Sequence, residues 1–176
     1  MPPKYARYGP VDRFDGYPKG GLCLSVFALV ERQEDKSVLI GIPSNRKRWL
    51  SDWLYWKRKA DGAEVFEQWR LPSLYLKEGE HPRSGLDRIM VRQLGIKKFK
   101  LVKPPKIFSF YSPIGWYRDD KHWDLTFVYQ IELQETLKLA NNWWKQLFFC
   151  KKGKELREKN FGWNNDLLEE LNLAQE

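Results

Sequence analysis

The stretch from Trp69 to Ile96 constrains this chain more than any other, because its landmarks stand at fixed distances from one another. A Trp69-Arg70-Leu71-Pro72 run leads to Gly79-Glu80, then to Arg88, and Leu94-Gly95-Ile96 closes the stretch. Residues 84–94 read as a helix. Leu86, Met90 and Leu94 recur at four-residue spacing and form its buried stripe. His81 stands at the helix start, with Pro82 in the first turn, where a missing N–H removes no hydrogen bond. Ile89, Arg92 and Gln93 are related by steps of three and four residues, so they share a different face. That face carries an apolar side chain, a permanent cation without an acceptor, and a neutral amide.

With no insertion, these landmarks fit the frame G-x5-E-x7-R-E-U-x-E-E-x-G-U, in which U is a bulky apolar residue. Glu80, Arg88, Met90, Gly95 and Ile96 fall on its positions, while Leu74 stands at the first glycine and Ser73 replaces the glycine before it. The chain thus resembles a Nudix hydrolase. The resemblance implies an α/β protein, a Nudix-like α/β/α sandwich with a mixed sheet. It also implies that Glu80 and Arg88 hold the loop and helix together, and that three helix glutamates hold a divalent cation against a pyrophosphate. Those three positions are Ile89, Arg92 and Gln93 here. Magnesium takes oxygen ligands, usually carboxylates and substrate phosphates. Isoleucine offers none, arginine repels the ion, and Gln93 keeps only one weak neutral oxygen. No catalytic residue, cofactor or metal ligand is therefore expected, and magnesium enters only if the ligands have been relocated.

Order along the chain suits that fold. Residues 1–20, rich in Pro, Gly, Tyr and charge, read as an extended N-terminal arm, and 21–173 as the Nudix-like domain. Strands are expected over 22–30, 37–42, 106–112 and 125–133, with a polar hairpin turn from Glu31 to Lys36. A short strand is expected over 69–71, a lysine-rich connection over 97–106, helical or mixed structure over 135–150, and an amphipathic helix over 164–173 with Asp166, Glu169 and Glu170 on its polar side.

The 176 residues are enough for one proper core, and 42% hydrophobic with 31% charged residues is the balance of a soluble globular chain. No run approaches the roughly 20 apolar residues of a membrane helix, so no membrane partner is expected. The start bears Pro and Lys rather than an apolar run, which argues against a signal peptide. Cys23 and Cys150 sit in apolar runs at no metal-binding spacing and are expected as buried free thiols; a cytoplasmic location follows. Neither His81 nor His122 has a second ligand at zinc spacing.

Net charge is +8 and the pI about 9.4, which favours an anionic partner, either nucleic acid or a phosphorylated ligand. Basic surfaces also serve solubility alone. Residues 46–59 interleave cations with aromatics. Arg46, Arg48, Lys57 and Arg58 suit phosphates, and an exposed Trp49 suits stacking on a base. In the other reading, Trp49, Trp53 and Trp56, spaced i, i+4, i+7, cover a core. A weaker basic set comprises Lys145, Lys151, Lys152, Lys154, Arg157 and Lys159. Arg92 would place a cation in the cleft where active relatives hold metal.

Three functions are compatible with these residues. The first is a catalytically inactive Nudix-fold protein that binds a nucleotide, an RNA or a ribonucleoprotein, a ribosomal particle among them. The second is an active nucleoside diphosphate hydrolase whose ligands come from Asp119, Asp120, Asp124 or Glu132. The third is a protein-interaction module using the aromatic surface.

Overall fold

A computed structural model describes residues 7–8, 22–44, 68–77, 79–112, 122–134, 137, 143–159, 161 and 165–173. β1 (Arg7–Tyr8) is a two-residue strand that pairs with the start of β2. β2 (Leu22–Glu31) is the spine of the sheet. It is apolar on both faces, the pattern of a strand covered from both sides. β3 (Val38–Pro43) and β4 (Ser73–Tyr75) lie antiparallel along one edge of β2, as does β1. β5 (Phe99–Leu101) and β6 (Lys106–Ser112) both pair with β7 (His122–Leu133), which runs parallel to β2 from Leu22 opposite Trp123 to Glu31 opposite Glu132. β8 (Trp144–Cys150) pairs with β3, completing a mixed eight-stranded sheet.

Alternation along β2 and β7 divides the core in two. Val26, Ala28, Val30, Tyr129 and Ile131 face α1 (Pro82–Arg88) and a π-helical turn, Ile89–Gln93, and pack with Leu86, Ile89, Met90, Leu94 and Ile96. Phe27, Leu29 and Val128 face the opposite way. They pack with Leu156 of α2 (Lys154–Arg157), Leu167 and Leu168 of α3 (Asn165–Glu170), and Leu171 and Leu173. The expected α/β/α sandwich is the observed one. The polar β2–β3 turn also forms as its composition predicts, with Lys36 at a φ of 58° and Arg32 donating to Asp35. Cys23 and Cys150 are buried free thiols, and burial pushes the Cys150 thiol up to about 12.

Several boundaries differ from the sequence expectation. The helix begins at Pro82, because the His81 side chain accepts from the Arg83 N–H (3.1 Å) and caps it. It changes character at Ile89, where Leu94 N–H donates to the Ile89 carbonyl, a five-residue step. The strand expected over 69–71 is a single bridge between Arg70 and Gly41, and the true strand starts at Ser73. Pro72 lies between them and has no N–H to extend a ladder. The connection over 97–106 contains β5, and residues 144–150, expected as helical or mixed, form β8. Pairing with the fully buried β3 overrides local preference there. In the C-terminal helix, Asp166, Glu169 and Glu170 are exposed as expected.

Gly41 is where the β3–β8 pair locks onto the rest. A Cβ at this position would lie 2.3 Å from Trp144 Cε3 and 2.8 Å from the Gln146 carbonyl oxygen. Trp144 in turn donates its indole N–H to the Gln93 carbonyl, at 2.9 Å. Gly41→Ala must displace that ring. It is expected to lower stability by about 1–3 kcal/mol in chemical denaturation and to alter the near-ultraviolet circular dichroism of the tryptophans.

Candidate functional site

The segment from Ser73 to Ile96 is built around one ion pair. Gly79, at a φ of 73°, allows the turn in which Glu80 N–H donates to the Lys77 carbonyl. The Glu80 carboxylate then accepts from Arg88 Nε and Nη2, both at 2.8 Å, and from the Lys77 N–H at 2.8 Å. Arg88 Nη2 also donates to the Tyr75 carbonyl at 3.0 Å, tying the helix to β4. Both side chains of the pair are 11% exposed. Burial pushes the Glu80 carboxyl upward, but the Arg88 guanidinium and the Lys77 N–H outweigh it and hold the group below its ordinary range. The pairing that the family resemblance implies for Glu80 and Arg88 is the observed geometry.

The three helix positions do not share one face. Ile89 and Gln93 are completely buried, whereas Arg92 is exposed. Arg92 lies nearly opposite Met90 around the helix and stays outside with Val91, whereas Ile89, Met90, Gln93 and Leu94 are buried. Gln93 uses its side-chain amide N–H to bond the Ser73 carbonyl at 2.8 Å, and its own carbonyl accepts from Trp144. Arg92 does not take Glu80, which Arg88 holds. A divalent cation does not fit these residues: an aliphatic group, an amide N–H and an outward guanidinium stand where oxygen donors are needed.

The other candidates are dispersed. Arg46, Arg48, Trp49, Lys57 and Arg58 lie outside the described residues, as do Asp119 and Asp120. Asp124 and Glu132 occupy even positions of β7, the face shared by Val128, and so lie across the sheet from α1. Among the described residues, no three His, Cys, Asp or Glu side chains converge. The second basic set splits: Lys152 pairs with Glu31, and Lys159 sits over the Trp69 and Phe148 rings at 5.6 and 5.5 Å. Arg70 went unnoticed in the sequence, where its flanks give no signal. It is 4% exposed, and burial lowers its guanidinium to about 10, with Tyr75 acting in the opposite sense.

Two substitutions check this geometry. Glu80→Gln is expected to cost about 1.5–3 kcal/mol at neutral pH, the value of charge-assisted hydrogen bonds. Because the folded carboxyl is held low, its contribution is present above the ordinary Glu value of 4.5 and is lost as pH falls through the folded value. Denaturation curves of the variant and the native chain should therefore converge in acid. Gln93→Glu sets a carboxylate oxygen against the Ser73 carbonyl, two acceptors with no proton between them. A loss of about 1–3 kcal/mol is expected at pH 7. The raised carboxyl favours its protonated form in the fold, so stability should return below about pH 4.3 and be lost as pH rises through the folded value.

Comparison with known proteins follows the fold rather than the sequence. No protein-family model and no curated protein sequence matches the chain. Among solved structures, it is similar to a bifunctional NMN adenylyltransferase/ADP ribose pyrophosphatase from Francisella tularensis, with a TM-score of 0.56 and 11% identity. That alignment covers 85% of this chain but 40% of the other, so the chain spans less than half of that protein. It is also similar to a MutT protein from Methanosarcina mazei Go1 (TM-score 0.45, 17% identity, 73% of this chain and 75% of that one). A third is a Nudix hydrolase from Nitrosomonas europaea (0.42, 14%, 72% and 70%). The fold of this chain is the Nudix fold.

Proposed function

We propose that this chain is a Nudix-fold protein that binds a phosphate-bearing ligand, RNA foremost, without hydrolysing it. The observation that carries this reading is the state of the helix positions. Ile89 and Gln93 are closed into the core, and Gln93 is engaged by Ser73, so a metal-dependent pyrophosphohydrolase centre has no ligands there. Arg92, exposed on the same segment, reverses the electrostatic preference of that surface from cation to anion. A guanidinium bonds a phosphate directly and in bidentate fashion, without a metal bridge. The net charge of +8 supports the same partner class. Relocated ligands find little support, since Asp124 and Glu132 lie on the far face of the sheet.

Two measurements test the reading. The purified chain should release no nucleoside monophosphate from nucleoside diphosphate derivatives with magnesium or manganese; metal-dependent turnover that is abolished by mutating Asp119 or Asp120 overturns it. RNA binding should weaken steeply with salt, since each phosphate contact releases counterions. Replacing Arg46, Arg48, Lys57 and Arg58 by Ala should flatten the slope, and Arg92→Ala should weaken binding at unchanged melting temperature. Arg92→Lys should restore only part of the affinity, because an ammonium lacks the planar fork. No binding at low salt removes RNA as the partner.

A further inference from the structure

The lysine-rich run over residues 97–106 has no role in the segment described above, and the structure gives part of it a specific place. Lys103 and Lys106 border a hollow of about 180 Å³ on the face of the sheet opposite α1. Its apolar lining includes Leu29 of β2 and Val128 of β7, which lie on the same face of adjacent parallel strands, Leu29 opposite Gln130 and Val128 opposite Phe27. The roof is Leu171 and Leu173, from the turn that ends α3, anchored by the Gly153 N–H donating to the Leu173 carbonyl.

Polar groups line the same hollow. Glu31 is the one carboxylate lining the hollow. Its side chain is 10% exposed, with one oxygen taken by Lys152 and the other 3.8 Å from Lys36 Nζ. The acid is therefore neutralised by cations of its own. Lys103 and Lys106 are exposed, and no acid among the described residues pairs with either. Gln130 adds an amide to the lining. The hollow therefore has a mixed lining, with the apolar side chains Leu29, Val128, Leu171 and Leu173 beside Lys103 and Lys106, whose charge no acid among the described residues pairs. Its volume exceeds the roughly 150 Å³ that accommodates a benzene ring, and is far short of what a nucleic acid chain needs.

We propose that this hollow is a binding site for a small amphiphilic anion, a carboxylate or phosphate head on a short apolar body. The head lies against Lys103 and Lys106, and the body rests on Leu29, Val128, Leu171 and Leu173. This site is independent of the RNA reading, since it uses none of the same residues and lies across the sheet from the segment that carries Arg92. The plainer role for these lysines is to charge the outer edge of the β5–β6 side and prevent pairing with another chain.

Calorimetric titration of the full chain with benzoate, phenyl phosphate and benzyl alcohol separates the two roles. The anionic probes should bind saturably and roughly tenfold or more tighter than the alcohol, as expected from two hydrogen bonds to charged donors. Lys103→Ala/Lys106→Ala, a change at two exposed positions that leaves the core intact, should lose that preference. The Lys103→Arg/Lys106→Arg chain should keep it, and Arg92→Ala should leave it untouched. Whichever anion binds more tightly identifies the head group. Anionic probes binding no better than benzyl alcohol, or equally well to the double-alanine chain, would overturn the proposal and leave the lysines as edge protection.

Discussion

Gln93 joins three parts of the molecule that are distant in sequence. Its side-chain amide reaches the Ser73 carbonyl on β4, and its backbone carbonyl receives the Trp144 indole from β8. All of this is buried, where a polar group without a partner is costly, so the three elements must keep their distances or lose the bonds together. The Gly41 contact with Trp144 extends the constraint to β3. The side chain's part in this is the amide N–H that donates to the Ser73 carbonyl; the Trp144 bond falls on the backbone carbonyl, which any residue would offer. A carboxylate in the same place has acceptors only and needs a cation to face the Ser73 carbonyl. The turn-helix segment is thereby held by the protein's own hydrogen bonds.

Around the helix, Ile89 and Gln93 lie beside the buried Met90 and face inward, while Arg92 lies nearly opposite Met90 and faces out. The scaffold features are kept alongside this arrangement: the Glu80–Arg88 pair, the Gly79 turn and the buried Leu86, Met90 and Leu94. The architecture of the segment and the chemistry of its helix positions are thus separable. The first rests on the ion pair and apolar packing, to which Ile89 contributes, and the second on the donor character of Gln93 and the exposed charge of Arg92.

Charge is distributed on both faces of the sandwich rather than on one. Arg92 lies on the α1 face, while Lys103, Lys106 and Lys152 lie around the hollow on the opposite face. Lys159 and Arg70 are drawn inward, the first over aromatic rings and the second into a buried position beside β3. Formal charge therefore overstates how much of the cationic surface is available to an anion. Lysines that look equivalent in a basic run differ in what already neutralises them.

Local patterns alone specified much of the fold. The two-sided apolar run of β2, the polar turn after it, the extents of β6, and the four-residue stripe of Leu86, Met90 and Leu94 depend on side-chain periodicity, which neighbours in sequence determine. The Glu80–Arg88 pair was legible only through the family resemblance, which the fixed spacing of landmarks in one short segment carries. What tertiary structure decided involves residues far apart. β8 formed as a strand because the buried β3 needed a partner, whatever residues 144–150 prefer in isolation. The placement of Gln93 required Ser73 and Trp144 together. Burial of Arg70 and convergence of Lys103, Lys106 and Lys152 likewise have no signature in sequence. A cation reads the same in a chain whether folding places it in water, over a ring or at the mouth of a cavity.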